Sequence, residues 1–459
     1  VTTASSLRDK LERLRRGGLP DAEPGAPLAS RSAPGLGMPV SPLDHLERTL
    51  LGQVEGGLTL KQRLERLVAV ASRGRSLAER AGPALEELVD GRVVENEHGS
   101  FFLVESATHL ETRHGVLPLS RVQALAPEAV SVLAGEPGWE GFDLSQAVFL
   151  DTETTGLAGG TGTAAFLIGI GYVEGDRFRV RQYFMRDYVE EAAQLAELAR
   201  DLAGFRQLVT FNGAQFDVPL LEARFRLNRA RFPLVEAVHL DLLQPARRLW
   251  KLRLDSCRLQ SLEAQLLGVR RQADVPGEEI PRLYFDYVRN RNARFLPRIL
   301  EHNRLDLVSL AALSVLACQW VVDDHAEDPR DVLSLARVLE RARLEERAAA
   351  HYARAAASEH DAVRLAALLR LAQRAKRGGD LARAVTLWEQ AAAEGDLLAL
   401  RELAMHHEHR RRDYAAALAL TERGHALADP DDPGVRRAAA DFQRRRARLL
   451  GKLRRAAPA

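Results

Sequence analysis

Ala147-Val148-Phe149-Leu150-Asp151-Thr152-Glu153-Thr154-Thr155-Gly156 runs four apolar residues into a polar turn closed by glycine, the pattern of a buried strand that ends in a loop. Side chains alternate along a strand, so Asp151 and Glu153 leave on one face, side by side. Two carboxylates about 4 Å apart at an effective dielectric near 20 repel by roughly 4 kcal/mol. Such a pair persists by protonating one member, by pairing with arginine, or by binding a divalent cation. No arginine stands between Asp151 and Phe166, so the expectation is a metal site.

Outward from this strand, 166–173 and 177–184 flank Glu174-Gly175-Asp176, a hairpin signature. A helix is expected over 190–202, then a buried strand over 207–211 that ends in Asn212-Gly213-Ala214-Gln215-Phe216-Asp217. Residues 218–227 read as a helix with Pro219 in its first turn. A strand over 235–243 carries His239 and Asp241, and 244–250 reads as helical. Three consecutive strands followed by helix–strand alternation predict an α/β fold: a mixed sheet flanked by helices, with its chemistry at the strand ends. Residues 280–318 read as helical, with His302 and Asp306 at i and i+4 on one face, just before the apolar run 307–313.

The 459 residues suffice for two or more domains. The divisions expected are a basic N-terminal helix (Leu7, Leu11 and Leu14 on one face) with a Pro/Gly-rich linker over 1–45, a small α+β module over 46–140, the mixed-sheet domain over 141–325, and an all-α region over 330–459. The module is read as helical over 46–88, followed by a β-hairpin over 92–104 turning at His98-Gly99. Glu95, Glu97, His98, His109 and His114 follow no ligand spacing and are assigned to structure. In the helical region Gly379-Asp380 recurs loosely as Arg412-Asp413, an offset of 33 (413 − 380), with a weaker copy near 345–352. A period near 34 resembles tetratricopeptide repeats; a plain helical bundle is the alternative.

With 46% hydrophobic and 28% charged residues, the composition is that of an ordinary soluble protein. Apolar runs such as 164–173 are too short or too Gly-broken to span a bilayer, and residues 1–10 hold no signal core. The expectation is a cytoplasmic protein with no membrane partner. Cys257 and Cys318 are the two cysteines, too few for a cysteine zinc cage or a disulfide scaffold, and read as buried thiols. A net charge of +2 gives no global sign of nucleic acid. Locally, Arg247-Arg248-Leu249-Trp250-Lys251-Leu252-Arg253 interleaves bases with an aromatic, either as a single-strand groove or as a solvated helix face over a core tryptophan. Arg289, Arg291, Arg294 and Arg298 pose the same choice.

Collected in order, Asp151-Thr-Glu153, Asn212-x-x-x-Phe216-Asp217 and His302-x-x-x-Asp306 resemble the three motifs of the DnaQ-like (DEDD) 3′–5′ exonuclease superfamily, which has the ribonuclease H-like fold. Residues 151–166 with Gly159-Gly160-Thr161-Gly162-Thr163, the segment Pro276-Gly277-Glu278-Glu279-Ile280-Pro281 and a trailing repeat-like region narrow the resemblance to its YprB-like bacterial subgroup, over about residues 95–316. The histidine stands four residues before the last aspartate, where superfamily members carry a histidine five before it or a tyrosine four before it. The resemblance implies two Mg²⁺ or Mn²⁺ ions on Asp151, Glu153, Asp217 and Asp306, a charge-balanced set that suits two-metal hydrolysis. His302 either positions or deprotonates the attacking water or supports the ligands from its helix, with Asn212 and Asp241 holding the site from behind. Thr152, Thr154, Arg247, Arg248, Trp250 and Lys251 are assigned to single-stranded DNA or RNA with a 3′ end. The expected reaction is phosphodiester hydrolysis from that end. The rivals are a ribonuclease trimming structural RNA, and a non-catalytic scaffold that binds nucleic acid or protein through its helical repeats.

Overall fold

The computed structural model describes residues 82–456, apart from 127, 136–137, 157–161, 325, 430 and 434. The expected helices and linker before residue 82, and the Gly159-Gly160-Thr161 part of the glycine-rich loop, lie outside the described residues.

A seven-stranded mixed sheet organises the fold. Its strands are β1 (Arg92–Asn96), β2 (Gly99–His109), β3 (Val148–Thr154), β4 (Ala165–Glu174), β5 (Arg177–Phe184), β6 (Gln207–Thr210) and β7 (Val238–Asp241), in spatial order β1-β2-β5-β4-β3-β6-β7. β1 through β3 in that spatial order pair antiparallel, whereas β6 and β7 add in parallel beyond β3. The hairpin expected in a separate N-terminal module forms the outer two strands of this sheet. Phe102 and Leu103 pair with Phe184 and Tyr183 of β5, and both are fully buried, so the hairpin gains its apolar cover from the larger sheet. β4 and β5 turn at Gly175, whose φ of 59° is the left-handed conformation that tight hairpins need and glycine adopts without a Cβ clash.

Helices cover both faces. α1 (Glu191–Leu202) and α2 (Asp217–Leu227) pack Leu195, Leu198, Leu221 and Phe225 against Val148, Leu150, Ile168 and Ile170. On the opposite face, α3 (Leu243–Trp250), α4 (Ile280–Asn290) and α5 (Leu296–Asp323) follow, with Leu307 and Leu310 of α5 in one cluster with Phe149, Val209 and Leu240. By length and composition α5 is apolar enough to cross a bilayer, with a mean hydropathy of 1.9 over its most apolar window, yet 67% of that window is buried inside the fold. Its apolarity is that of a helix packed on a sheet.

Seven further helices follow: α6 (Pro329–Arg341), α7 (Glu345–Ala356), α8 (Asp361–Arg377), α9 (Leu381–Ala393), α10 (Leu397–His406), α11 (Tyr414–Leu427) and α12 (Arg436–Ala456). Each packs on the next. The 33-residue echo corresponds to matched helix starts. Asp380 caps α9 by accepting from Arg383 N at 3.0 Å, and Asp413 caps α11 by accepting from Ala416 N at 2.9 Å. Equivalent positions, Ala384 with Ala417 and Trp388 with Thr421, are buried. The apolar cluster beneath α5 continues without a break through Leu333, Leu335 and Leu339 of α6 into α7 and α8. Both cysteines are buried free thiols.

Candidate active site

Strand parity decides which side each acid takes. Phe149 packs into the cluster under α5, while Val148 and Leu150 pack towards α1 and α2. Asp151 and Glu153 continue the Phe149 face, and Thr152 continues the other. The ladder to β4 slips between Glu153 and Thr154, a bulge that re-aims side chains where the strand ends. From α5, His302 and Asp306 reach the same point: Glu153, His302 and Asp306 each present a ligand atom, all within 4.8 Å of one another. Asp217 opens α2 on the opposite side and accepts a hydrogen bond from Thr152 Oγ1 at 2.5 Å. Two acids thus come from the strand, one from the start of a helix and one from the middle of another.

Packed together, these groups resist ionisation. Burial, then the charges of Asp306 and Asp217, hold the Asp151 carboxyl well above the usual range. Burial and then Asp151 do the same to Glu153. Burial also pushes Asp217 up to about 6 against the hydrogen bonds it accepts, and it raises Asp306 against the pull of Arg271 and His302. Each is the response of an anion short of counter-charge.

Several supporting residues carry no motif. Asn303, fully buried, donates from Nδ2 to Asp151 Oδ2 at 2.7 Å, and its Oδ1 accepts from Gln182 Nε2 at 2.8 Å. Gly169, paired with Asp151 across the ladder, leaves room for it: a Cβ there would lie 2.2 Å from Asn303 Oδ1. His302 Nδ1 lies 2.8 Å from Asp274 Oδ1, which fixes the ring so that Nε2 faces Glu153 (3.8 Å) and Asp306 (3.5 Å). Arg298 holds the Asp274 loop by donating from Nε to Ala273 O at 2.8 Å. Asp241 lies behind Asp217, accepting from the backbone N–H of Asn212 (2.7 Å) and Ala214 (3.1 Å). Asn212 itself turns the chain at φ 69°, a left-handed conformation that asparagine tolerates.

Arginine does reach the acids, contrary to the expectation from the local sequence. Arg271, from the loop before α4, donates to Asp306 and is bidentate to the buried Glu263, with Nε to Oε2 at 2.9 Å. One guanidinium therefore serves Glu263 and Asp306 together, while Asp151, Glu153 and Asp217 gain no cationic partner from it by hydrogen bond. The site keeps a large excess of carboxylate.

The expected substrate contacts need correction. Trp250 is fully buried and meets Trp320 edge-on, ring centroids 5.5 Å apart, so no base can stack on it. Its amphipathic helix α3 turns Trp250 inward and leaves Arg247 exposed. Arg248 is half-buried and donates to Ala134 O at 3.2 Å, and Lys251 donates to Asp255 O at 2.7 Å. The hydroxyl protons of Thr152 and Thr154 are committed within the fold, to Asp217 and to Gly156 O at 2.8 Å. Arg291 pairs with Asp187. His98, His109 and His114 bond separately to Glu97, Asp176 and Ser309 and form no joint site.

The donors fit a hard divalent cation: carboxylate oxygens with one imidazole, half-buried and short of positive charge. Gly169→Ala tests how tightly the surroundings hold them. Because Asn303 is wedged and cannot retreat, the added methyl should lower stability by about 1–3 kcal/mol and turn Asp151, read as a lower urea midpoint together with weaker Mn²⁺ binding. An unchanged midpoint would show that Asn303 is free to move.

Residues 148–318 match a family model described as RNase_H superfamily. The chain is also 31% identical over 343 residues to the protein YprB of Bacillus subtilis (strain 168), an alignment that covers 68% of this chain and 77% of that protein. The matched segment begins at the strand of Asp151 and Glu153 and ends on the helix of His302 and Asp306, so the residues gathered at the site are those the family domain contains. The chain therefore belongs to the YprB family and carries an RNase H superfamily domain.

Proposed function

We propose that this protein is a divalent-metal-dependent exonuclease that removes nucleotides from the 3′ end of single-stranded nucleic acid. The observation that carries the reading is the meeting of Glu153, His302 and Asp306 within 4.8 Å, beside Asp151 and Asp217 with raised pKa values. The 3′ polarity rests on the order and spacing of the three acidic motifs. Asp151, Glu153, Asp217 and Asp306 would hold two Mg²⁺ or Mn²⁺ ions. Bound there, such ions supply Lewis acidity, a more acidic water and charge neutralisation at a departing oxygen.

The chain's own residues do the positioning. Gln182 and Asn303 fix the Asp151 carboxylate, and Asp241 fixes the loop that delivers Asp217. His302, held through Nδ1 by Asp274, presents Nε2 where it can accept a proton from water entering between Glu153 and Asp306. The helical region, with its 33-residue spacing of caps, reads as a tetratricopeptide-like array able to bind a partner.

The test is incubation of 3′- and 5′-labelled single-stranded RNA and DNA with Mg²⁺, Mn²⁺ or EDTA. The expected result is metal-dependent release of mononucleotides from the 3′ label and progressive shortening of the 5′-labelled strand, with none in EDTA. Cleavage that persists in EDTA, internal cuts, or no cleavage with either metal would overturn the proposal. The ratio of RNA to DNA turnover also separates the structural-RNA reading from a general exonuclease.

A further inference from the structure

The last helix has a lopsided charge. α12 holds nine basic residues and one acid, Asp441. Arg445, Arg448 and Lys452, spaced i, i+3 and i+7 on one face, all close on Glu408: Arg445 Nη1 at 2.7 Å, Arg448 Nε at 2.9 Å and Lys452 Nζ at 2.9 Å. The Glu408 side chain is 0% exposed. Burial alone would raise its pKa, but the hydrogen bonds from Arg448 and Lys452 bring it down to about 2. It is a fixed anion, and with Asp441, 4.0 Å from Arg445 Nη2, two anions face the three cations.

Glu408 lies in the π-turn His407–Arg411 that ends α10, so the residues after it emerge beside the same cluster. Arg410, Arg411 and Arg412 are exposed, and none of them forms an ion pair among the described residues. Helix ends favour a basic residue or two, but here one clamped cation and three free arginines are left over. The neighbourhood has little apolar surface to accompany the charge. Among the described residues of the helical region, Leu398 and Leu427 are the large hydrophobics that stand exposed. A protein partner or a membrane would require an apolar core or stripe, whereas a phosphate backbone requires arginine forks and little else.

We infer that Arg410, Arg411 and Arg412, with the Arg448–Lys452 side of α12, form a second nucleic-acid-binding site that grips the backbone of a single strand apart from the carboxylate cluster. The choice of ligand rests on the nuclease reading, but its test does not require turnover. Binding of fluorescein-labelled single-stranded RNA and DNA to the full chain is measured by anisotropy in EDTA across a salt series. Arg410→Gln/Arg411→Gln should weaken binding roughly tenfold at low salt and flatten the slope of log K against log salt by about 1.4, roughly 0.7 for each lost phosphate contact on a single strand. Arg177→Gln/Arg231→Gln, which removes the same charge elsewhere, should leave the slope unchanged. An unaltered slope in the first variant, or equal losses in both, would overturn the inference, as would binding of poly-glutamate or anionic vesicles in place of nucleic acid. Both altered arginines are exposed, and circular dichroism of each variant confirms that the slope is read from folded protein. Absent cleavage with intact binding would count against the exonuclease reading alone.

Discussion

Asp151→Asn should abolish hydrolysis and, in the absence of metal, make the protein more stable. The amide keeps the shape of the carboxylate and can still accept the hydrogen bond from Asn303 Nδ2, so packing and orientation survive while one charge goes. Loss of a metal-binding carboxylate removes several kcal/mol of transition-state stabilisation, a rate reduction of roughly 10³-fold or more. The same charge is a burden to the metal-free fold, because burial and the neighbouring Asp306 and Asp217 already oppose its ionisation. A residue present only for structure would lose stability on replacement; one retained for function against its own repulsion gains it. Initial rates with Mn²⁺ and thermal midpoints in EDTA measure the two effects. Retained turnover, or a lowered midpoint with lost turnover, would each reject this account of Asp151.

The second large effect concerns pH. In EDTA, Asp217 titrates near 6 in the folded protein, against 3.8 for an unperturbed aspartate. A raised folded-state pKa means that folding takes up a proton, so the stabilising contribution is full below about pH 4 and is lost as pH rises through about 6. For Asp217 alone the loss is about 3 kcal/mol, and Asp151, Glu153 and Asp306 shift in the same direction. Asp331, raised by burial to about 6 beside Arg253, adds a slope that no metal should alter. Glu408 acts oppositely, but its contribution is complete above about pH 4.5 and fails only as pH falls towards 2. Urea midpoints should therefore decline from about pH 4 through about pH 6 in EDTA. Saturating Mg²⁺ or Mn²⁺ should flatten or reverse most of that decline by stabilising the ionised carboxylates. A decline equally steep with and without metal would mean that the acids do not hold the ion.

Much of this arrangement was legible in the residues, for reasons specific to each. The side-by-side placement of Asp151 and Glu153 follows from the period of a strand, and that of His302 and Asp306 from the period of a helix; neither depends on knowing the fold. The mixed sheet with flanking helices followed from the order of apolar runs. Asn303 carries no sequence signal although it lies inside the His302–Asp306 segment, because its importance comes from Gly169 on another strand leaving a space. Arg271, Glu263 and Asp274 were invisible for a related reason. Arg271 and Asp274 lie on an irregular stretch with no period to read, Glu263 opens the short helical turn Glu263–Leu267, and only the folded chain brings them to α5. Sequence leaves Trp250 open between groove and core because an aromatic between bases looks the same whether its helix turns that side towards solvent or towards Trp320. The 92–104 hairpin was recognised, but its neighbours in the sheet are set by long-range pairing with β5, which local alternation cannot specify.

The unbroken cluster under α5, α6, α7 and α8 has a consequence for how the polypeptide divides. A fragment stopping at Asp323 would remove Leu333, Leu335 and Leu339 from the cluster they share with Leu249 and Trp250 of α3 and Val321 of α5, at about 1.5–3 kcal/mol for each side chain left exposed. The first helices after α5 thus complete the packing around the sheet, and from α8 onward a separate cluster around Leu368, Trp388, Leu400 and Phe442 takes over.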